Sequence, residues 1–156
     1  MRLKSGDSGI FGRLEEETAA LKAAGIAYEI VPGVTSASAA AAAFGIPLTR
    51  RLTARRIQFI TGHDVSGALP QDVNIAALAD PSATTIVFMG KRTFPELAAK
   101  LIAHGLPAET PAILAEAVSQ PAQKIARHTV ASLSDILAHE TGEHPALILY
   151  GPLAEP

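Results

Sequence analysis

Chemistry in this chain concentrates where glycine meets a polar side chain. Gly6, Gly9 and Gly12 recur every third residue, with Asp7 and Ser8 between the first two. Glycine carries no Cβ, so such a turn lets the backbone and a bound molecule approach closely. A carboxylate placed there has two uses: it caps the helix that follows, or it accepts hydrogen bonds from ligand hydroxyls. The spacing is not that of the dinucleotide-binding fingerprint. Thr35 and Ser36 set two hydroxyls at the head of an alanine run, where free backbone N–H groups either pack conventionally or hold a polar ligand. Arg13 and Glu16 stand three residues apart, the spacing of an ordinary helical ion pair. Met89 reads as a core residue at a strand end, and His63 as a capping or core histidine. No second ligand stands at metal spacing from His63, so no metal site is expected. Lys91 follows Gly90, but Arg92 occupies the Ser/Thr position that a phosphate loop requires.

The elements that must position these residues alternate. A strand end leads into the glycine turn, and a helix follows with Phe11, Leu14, Leu21 and Ala24 at helical spacing and Glu15, Glu16 and Glu17 near its start. Gly25 stops it, and Ile26 to Val31 reads as a short strand ended by Pro32-Gly33. Thr35 or Ser36 caps a helix over Ala37 to Phe44, closed by Gly45 and Pro47. Strands are expected over Ile57–Thr61, Thr84–Met89, Pro111–Ala117, Lys124–Val130 and Pro145–Tyr150. Helices are expected over Ile75–Ala79, after a capping box at Thr93 and Glu96, and over Asp135–His139 from a start near Ser132 or Ser134. The pattern is an α/β one, with helices on sheet faces. Ligands in such sheets sit at the carboxyl ends of strands, here Gly6-Asp7, Pro32-Gly33, Gly62-His63, Met89-Gly90, Glu116-Ala117 and Gly151. The connector Ile46 to Arg51 marks a domain boundary, giving units 1–46 and 47–156.

The 156 residues suffice for one ordinary domain, with 48% apolar and 18% charged residues. A net charge of −2 makes no case for a nucleic-acid partner. Cysteine is absent, which excludes disulfides and thiolate metal sites. No run is long enough for a membrane span and no signal core follows Met1, so a soluble cytoplasmic protein is the expectation.

Several of these stretches resemble the uroporphyrinogen-III C-methyltransferases of the tetrapyrrole methylase family. Arg2-Leu3-Lys4-Ser5-Gly6-Asp7-Ser8-Gly9-Ile10-Phe11-Gly12-Arg13 is similar to R-L-K-x-G-D-P-x-I-F-G-R, with Ser8 in place of proline. Val31 to Ala37 resembles V-P-G-[IV]-T-[SA]-A. Gly45 to Arg51 resembles G-I-P-L-T-H-R with Arg50 for histidine, Phe59 to His63 resembles F-x-T-G-H, and Phe88-Met89-Gly90 resembles Y-M-G. Ile75 departs where the family often carries Trp.

The resemblance implies methyl transfer from S-adenosylmethionine (SAM) to C2 and C7 of uroporphyrinogen III, giving precorrin-2 for sirohaem and cobalamin. It implies two α/β domains with the donor in the cleft between them. It places Ser5, Gly6, Asp7, Ile10, Thr35, Ser36, Met89, Ala117 and Val118 against the donor. Arg13, Glu16, Arg51 and Met89 then face the tetrapyrrole, with Arg13 and Glu16 as the catalytic pair. A substrate with eight carboxylates calls for guanidinium anchors. Arg13 matches the position proposed as base, although arginine is almost always protonated. The resemblance further implies a homodimer. The family's earlier strand and G-x-G-P-G-D loop have no counterpart here, so the first domain is expected to be incomplete, and this polypeptide alone to bind SAM weakly or not at all and to be inactive.

Overall fold

The computed structural model describes residues 1–139, 142 and 144–155. Five strands form one sheet: β1 (Arg56–Thr61), β2 (Ala83–Phe88), β3 (Pro111–Glu116), β4 (Lys124–Thr129) and β5 (Ala146–Tyr150). Their spatial order is β1-β2-β5-β3-β4. β1 and β2 are parallel, while β5 runs antiparallel to both its neighbours and β4 antiparallel to β3. The carboxyl ends of β1, β2 and β3 therefore share one edge. β5 ends at the other, where Gly151 donates its N–H to Pro111 O at 3.1 Å. The expectation that Gly151 belongs with the other strand-end turns is thus corrected.

Alternation sorts the apolar side chains to two faces. Val87, Ala112, Leu114, Ile148 and Tyr150 pack under α4 (Phe94–Ala103) and α5 (Val130–His139), joined by Phe94, Leu97, Leu101, Leu133 and Leu137. The short α3 (Ile75–Leu78) adds Leu78, whose carbonyl accepts from the buried Tyr150 hydroxyl at 3.0 Å. The phenol is pushed well above its ordinary pKa by burial. Ile86, Phe88, Ile113, Ala115, Leu147 and Leu149 face the other way, toward Ala37, Ala40 and Ala41 of α2 (Ser36–Phe44). Methyl-sized side chains let α2 lie close on this face. Thr35 caps it, its hydroxyl accepting from Ala37 N–H at 3.4 Å, and Gly45 ends it in the left-handed region at φ 80°.

Four local expectations are corrected. Residues 2–4 and Ile26–Val31 form no strand, because a strand exists only where backbone groups pair, and neither segment joins a ladder among the described residues. Their apolar side chains stay exposed, Leu3 at 81% and Val31 at 76%. α1 (Leu14–Ala23) starts after Arg13, which is its N-cap residue in the left-handed region at φ 57°, and none of its residues is buried. Thr93 does not close a capping box. Its hydroxyl donates to Gly62 O and, at 3.3 Å, to Gly90 O, tying together the ends of β1 and β2. Glu96 instead pairs with Lys100 at 2.8 Å. α5 begins at Val130, earlier than Ser132. Thr129 Oγ1 accepts from Ser132 N–H at 3.1 Å while Ser132 Oγ accepts from Thr129 N–H at 2.9 Å, a reciprocal closure that starts the helix directly from β4.

Candidate functional site

Asp7 builds the first wall of the site. One carboxylate oxygen accepts from Gly9 N–H at 2.7 Å, and the other from Gly33 N–H at 3.0 Å. It does not cap α1. It fastens the glycine turn to the Pro32-Gly33 turn, two segments distant in sequence. Gly33 permits the approach: a Cβ there would fall onto the backbone carbonyl of Gly6. Lys4 braces the turn from inside, its ammonium donating to Gly12 O and to Glu17 at 3.0 Å. Hydrogen bonds from Lys4 and then Arg2 hold the Glu17 carboxyl below its ordinary pKa.

A cavity of about 180 Å³ opens between these turns and the end of β2. Its lining contains Ser5, Gly6, Asp7, Ile10, Thr35, Ser36 and Met89, seven of the nine residues assigned to the donor. Lys4, Phe11 and Phe88 line it too, and were not assigned. Phe11 packs on Phe88 with its ring tilted and the centroids 5.0 Å apart, and Phe59 meets Phe88 edge-on at 5.7 Å. The signal in the sequence was Phe88 preceding Met89 on one strand end. Ala117 and Val118 do not line this cavity. They follow β3 on the same edge, where Val118 and Ile10 pack against one apolar cluster.

Backbone strain marks this edge. Phe11, Arg13, Met89 and Ala117 all sit at positive φ, between 46° and 57°. Non-glycine residues rarely adopt that region, and they cluster at ligand-binding places.

A second, shallower hollow of about 580 Å³ continues past Phe11 and Gly12 to Arg13, Tyr28 and Ile30. Arg13 pairs with Glu16 through two hydrogen bonds of 2.8 and 2.5 Å, both side chains being largely exposed. The Arg13 hydrogen bond holds the Glu16 carboxyl below its usual range, and the same bond pushes the guanidinium further up. The pair therefore holds the two side chains together as guanidinium and carboxylate. Arg51 stands exposed in the turn closed by the Arg50–Ala54 bridge and lines neither hollow. Among the described residues, no three His, Asp or Glu side chains gather as metal ligands, and no helix is long and apolar enough to cross a membrane.

The five-stranded mixed sheet with its helices matches the fold of solved tetrapyrrole (corrin/porphyrin) methylases. The profile of that family matches residues 1–134, and the chain belongs to it. Over 155 residues it is 43% identical to the siroheme synthase of Chromobacterium violaceum, covering 99% of this chain and 33% of that protein. Over 158 residues it is 40% identical to the chloroplastic S-adenosyl-L-methionine-dependent uroporphyrinogen III methyltransferase of Arabidopsis thaliana, covering 99% and 42%. Among solved structures, the Thermus thermophilus uroporphyrin-III C-methyltransferase complexed with S-adenosyl homocysteine superposes with a TM-score of 0.77 at 29% identity, covering 94% of this chain and 63% of that one. A cobalt precorrin-4 methyltransferase superposes with 0.82 at 29% identity, covering 94% and 61%. The chain spans about a third to two fifths of the length of these two curated relatives.

Proposed function

We propose that this chain carries donor and substrate contacts of a SAM-dependent C-methyltransferase that converts uroporphyrinogen III to precorrin-2 by methylation at C2 and C7. The observation that carries the reading is the meeting of Asp7, Thr35 and Met89 around one cavity, from three segments far apart in sequence. The relatives named above, a siroheme synthase and a uroporphyrinogen III methyltransferase, point to the same substrate.

The lining fits such a donor. A nucleoside with an amino-acid tail needs hydroxyl and backbone partners beside an apolar wall, and Ser5, Thr35, Ser36 and the glycine turn stand opposite Phe88 and Met89. Bound SAM supplies an electrophilic methyl group on a sulfonium sulfur. The protein's part is alignment, because an in-line displacement gains most from holding its two reactants in register. Met89, strained at φ 53° and half-exposed, is the wall against which the macrocycle packs. Arg13 and Arg51 anchor its carboxylates as fixed cations. Arg13 and Glu16 are the proposed catalytic pair at which the departing substrate proton is accepted, Glu16 holding the guanidinium in place. Ala117 and Val118 contact the donor from the end of β3. The division at residues 46 and 47 places α2 in the first unit while it packs on the sheet of the second. Homodimeric assembly and a cytoplasmic location complete the proposal.

One observation favours a second substrate: the superposition with the cobalt precorrin-4 methyltransferase has the higher TM-score of the two structures compared. Both readings are tested by amide chemical-shift mapping with S-adenosylhomocysteine at millimolar concentration, followed by a panel of tetrapyrroles. Shifts at Gly6, Thr35 and Met89 together, with a response to uroporphyrin III, are expected. Shifts confined to other segments, or none, would remove the methylase reading for this chain. A response to precorrin-type corrinoids alone would move it to the second substrate.

A further inference from the structure

A third hollow, of about 340 Å³, shares Met89 with the donor cavity and is lined also by His63, Gly67, Arg92 and His144. Lys91 also lines it and is compensated by Glu116, 2.5 Å away and equally withdrawn from solvent. Arg92 is different. Among the described residues it has no carboxylate partner, and one of its five N–H groups is used, donating to Gly67 O at 2.5 Å. Gly67 is its seat: at φ +81°, a Cβ on this residue would collide with the same Arg92 nitrogen. The guanidinium thus rests directly on a backbone that has no side chain to displace it. The remaining fork is presented already oriented, which lowers the entropy lost when it engages a carboxylate. His144 lines the same hollow, and its imidazole can turn an N–H donor toward it. His63 Nδ1 lies 2.8 Å from Asp64 O, so the ring is held by its own loop.

Resting on the methylase reading above, we propose that Arg92, seated on Gly67 and flanked by His63 and His144, binds one carboxylate arm of the acidic macrocycle. It is a specificity-determining residue, selecting substrates whose carboxylates reach beyond Met89. A ring with acidic arms on every edge places one there when it packs on Met89; a ring with half as many lacks it on at least some edges. The residue acts on binding and takes no part in methyl transfer.

The test follows fluorescence of two porphyrins on titration with the purified chain: uroporphyrin III, with eight carboxylates, and coproporphyrin III, with four. The unaltered chain is expected to prefer uroporphyrin. Arg92→Ala weakens uroporphyrin binding about tenfold, as expected for loss of one charge-assisted contact, and leaves coproporphyrin within about twofold. Gly67→Val, which unseats the guanidinium while keeping its charge, produces the same selective loss. Lys100→Ala, on the exposed face of α4, changes neither and controls for net charge. Equal uroporphyrin binding by Arg92→Ala and the unaltered chain overturns the proposal and leaves the methylase reading standing. An equal loss for both porphyrins overturns it as well, because the residue then supplies only general attraction. No uroporphyrin binding by the unaltered chain removes both.

Discussion

Asp7 and Asp80 are both carboxylates in turns, yet they serve different ends. Asp7 spends both oxygens on backbone N–H groups of two separate turns, so its first task is to hold the site's walls together. Asp80 lies at the other edge of the sheet, just before β2. It accepts from the hydroxyl and the N–H of Ser82, each at 2.7 Å, and pairs with Arg56. The Ser82 hydroxyl chiefly, then its backbone N–H and Arg56, hold the Asp80 carboxyl at about 2. A carboxyl depressed on folding contributes stability that is complete above its unfolded value, about 3.9. That contribution fades as pH falls through the folded value. Asp80→Asn should therefore lower the urea midpoint at pH 7, with the gap to the unaltered chain closing between about pH 4 and pH 2. A gap constant over that range would show that the charged form contributes nothing. Much at this scale was legible. The glycine spacing, the hydroxyl pair at Thr35-Ser36 and Met89 were all read from residue types. Arg92 was not, because its relevance depends on Gly67, which lies 25 positions upstream.

Strand-end turns are the elements that make the site, and their closeness is set by missing side chains. At Gly33 the two turns beside the donor cavity meet so closely that a Cβ would fall onto the Gly6 carbonyl. Gly33→Ala drives a methyl into backbone that has no rotamer to yield. It should cost about 1–3 kcal/mol, the usual range for overpacking. Urea unfolding measures that loss, and faster amide exchange at Gly33 would show that the bond to Asp7 has lengthened. Unchanged stability would mean that the two turns separate freely. Element types after residue 55 followed from short apolar runs bounded by glycine and proline and, for α4, from apolar residues at helical spacing. Strand direction did not, since a strand pattern is the same whichever way its neighbour runs. Gly151 was misplaced for that reason. The Thr93 capping box failed because Thr93 has helical backbone angles and its hydroxyl is turned to donate to the Gly62 and Gly90 carbonyls, the first of which sequence distance hides.

At the scale of the molecule, surface is the telling quantity. A folded chain of 16.2 kDa ordinarily exposes about 7,500 Å², and this one exposes 9129 Å². The excess, roughly 1,600 Å², is about twice the ~800 Å² that one partner contributes to a standard protein interface. It includes Leu3, Ile26, Ile30, Val31 and Val34, all exposed on segments whose backbone pairs with no strand among the described residues. Unpaired backbone beside apolar side chains promotes association. Sedimentation at tens of micromolar should show species larger than the monomer, and Ile26→Lys with Val31→Lys should shift them toward it. A monomer at every concentration would show that this surface is inert. The same surface explains the missing strand at Ile26–Val31, whose composition suits a ladder that no neighbour here provides.

Residue order alone determined the alternation of helix and strand, the turns in which chemistry is placed, and the family to which those turns belong. Each rests on interactions within a few positions or on motifs that survive as strings. The tertiary structure decided which turns share an edge, that Asp7 locks two of them together, that Glu16 stabilises Arg13 in its charged form, and that Arg92 rests on Gly67. Those outcomes depend on strand order and direction, which bring distant carbonyls, N–H groups and charges within about 3 Å, a range at which hydrogen bonds act and sequence spacing carries no information.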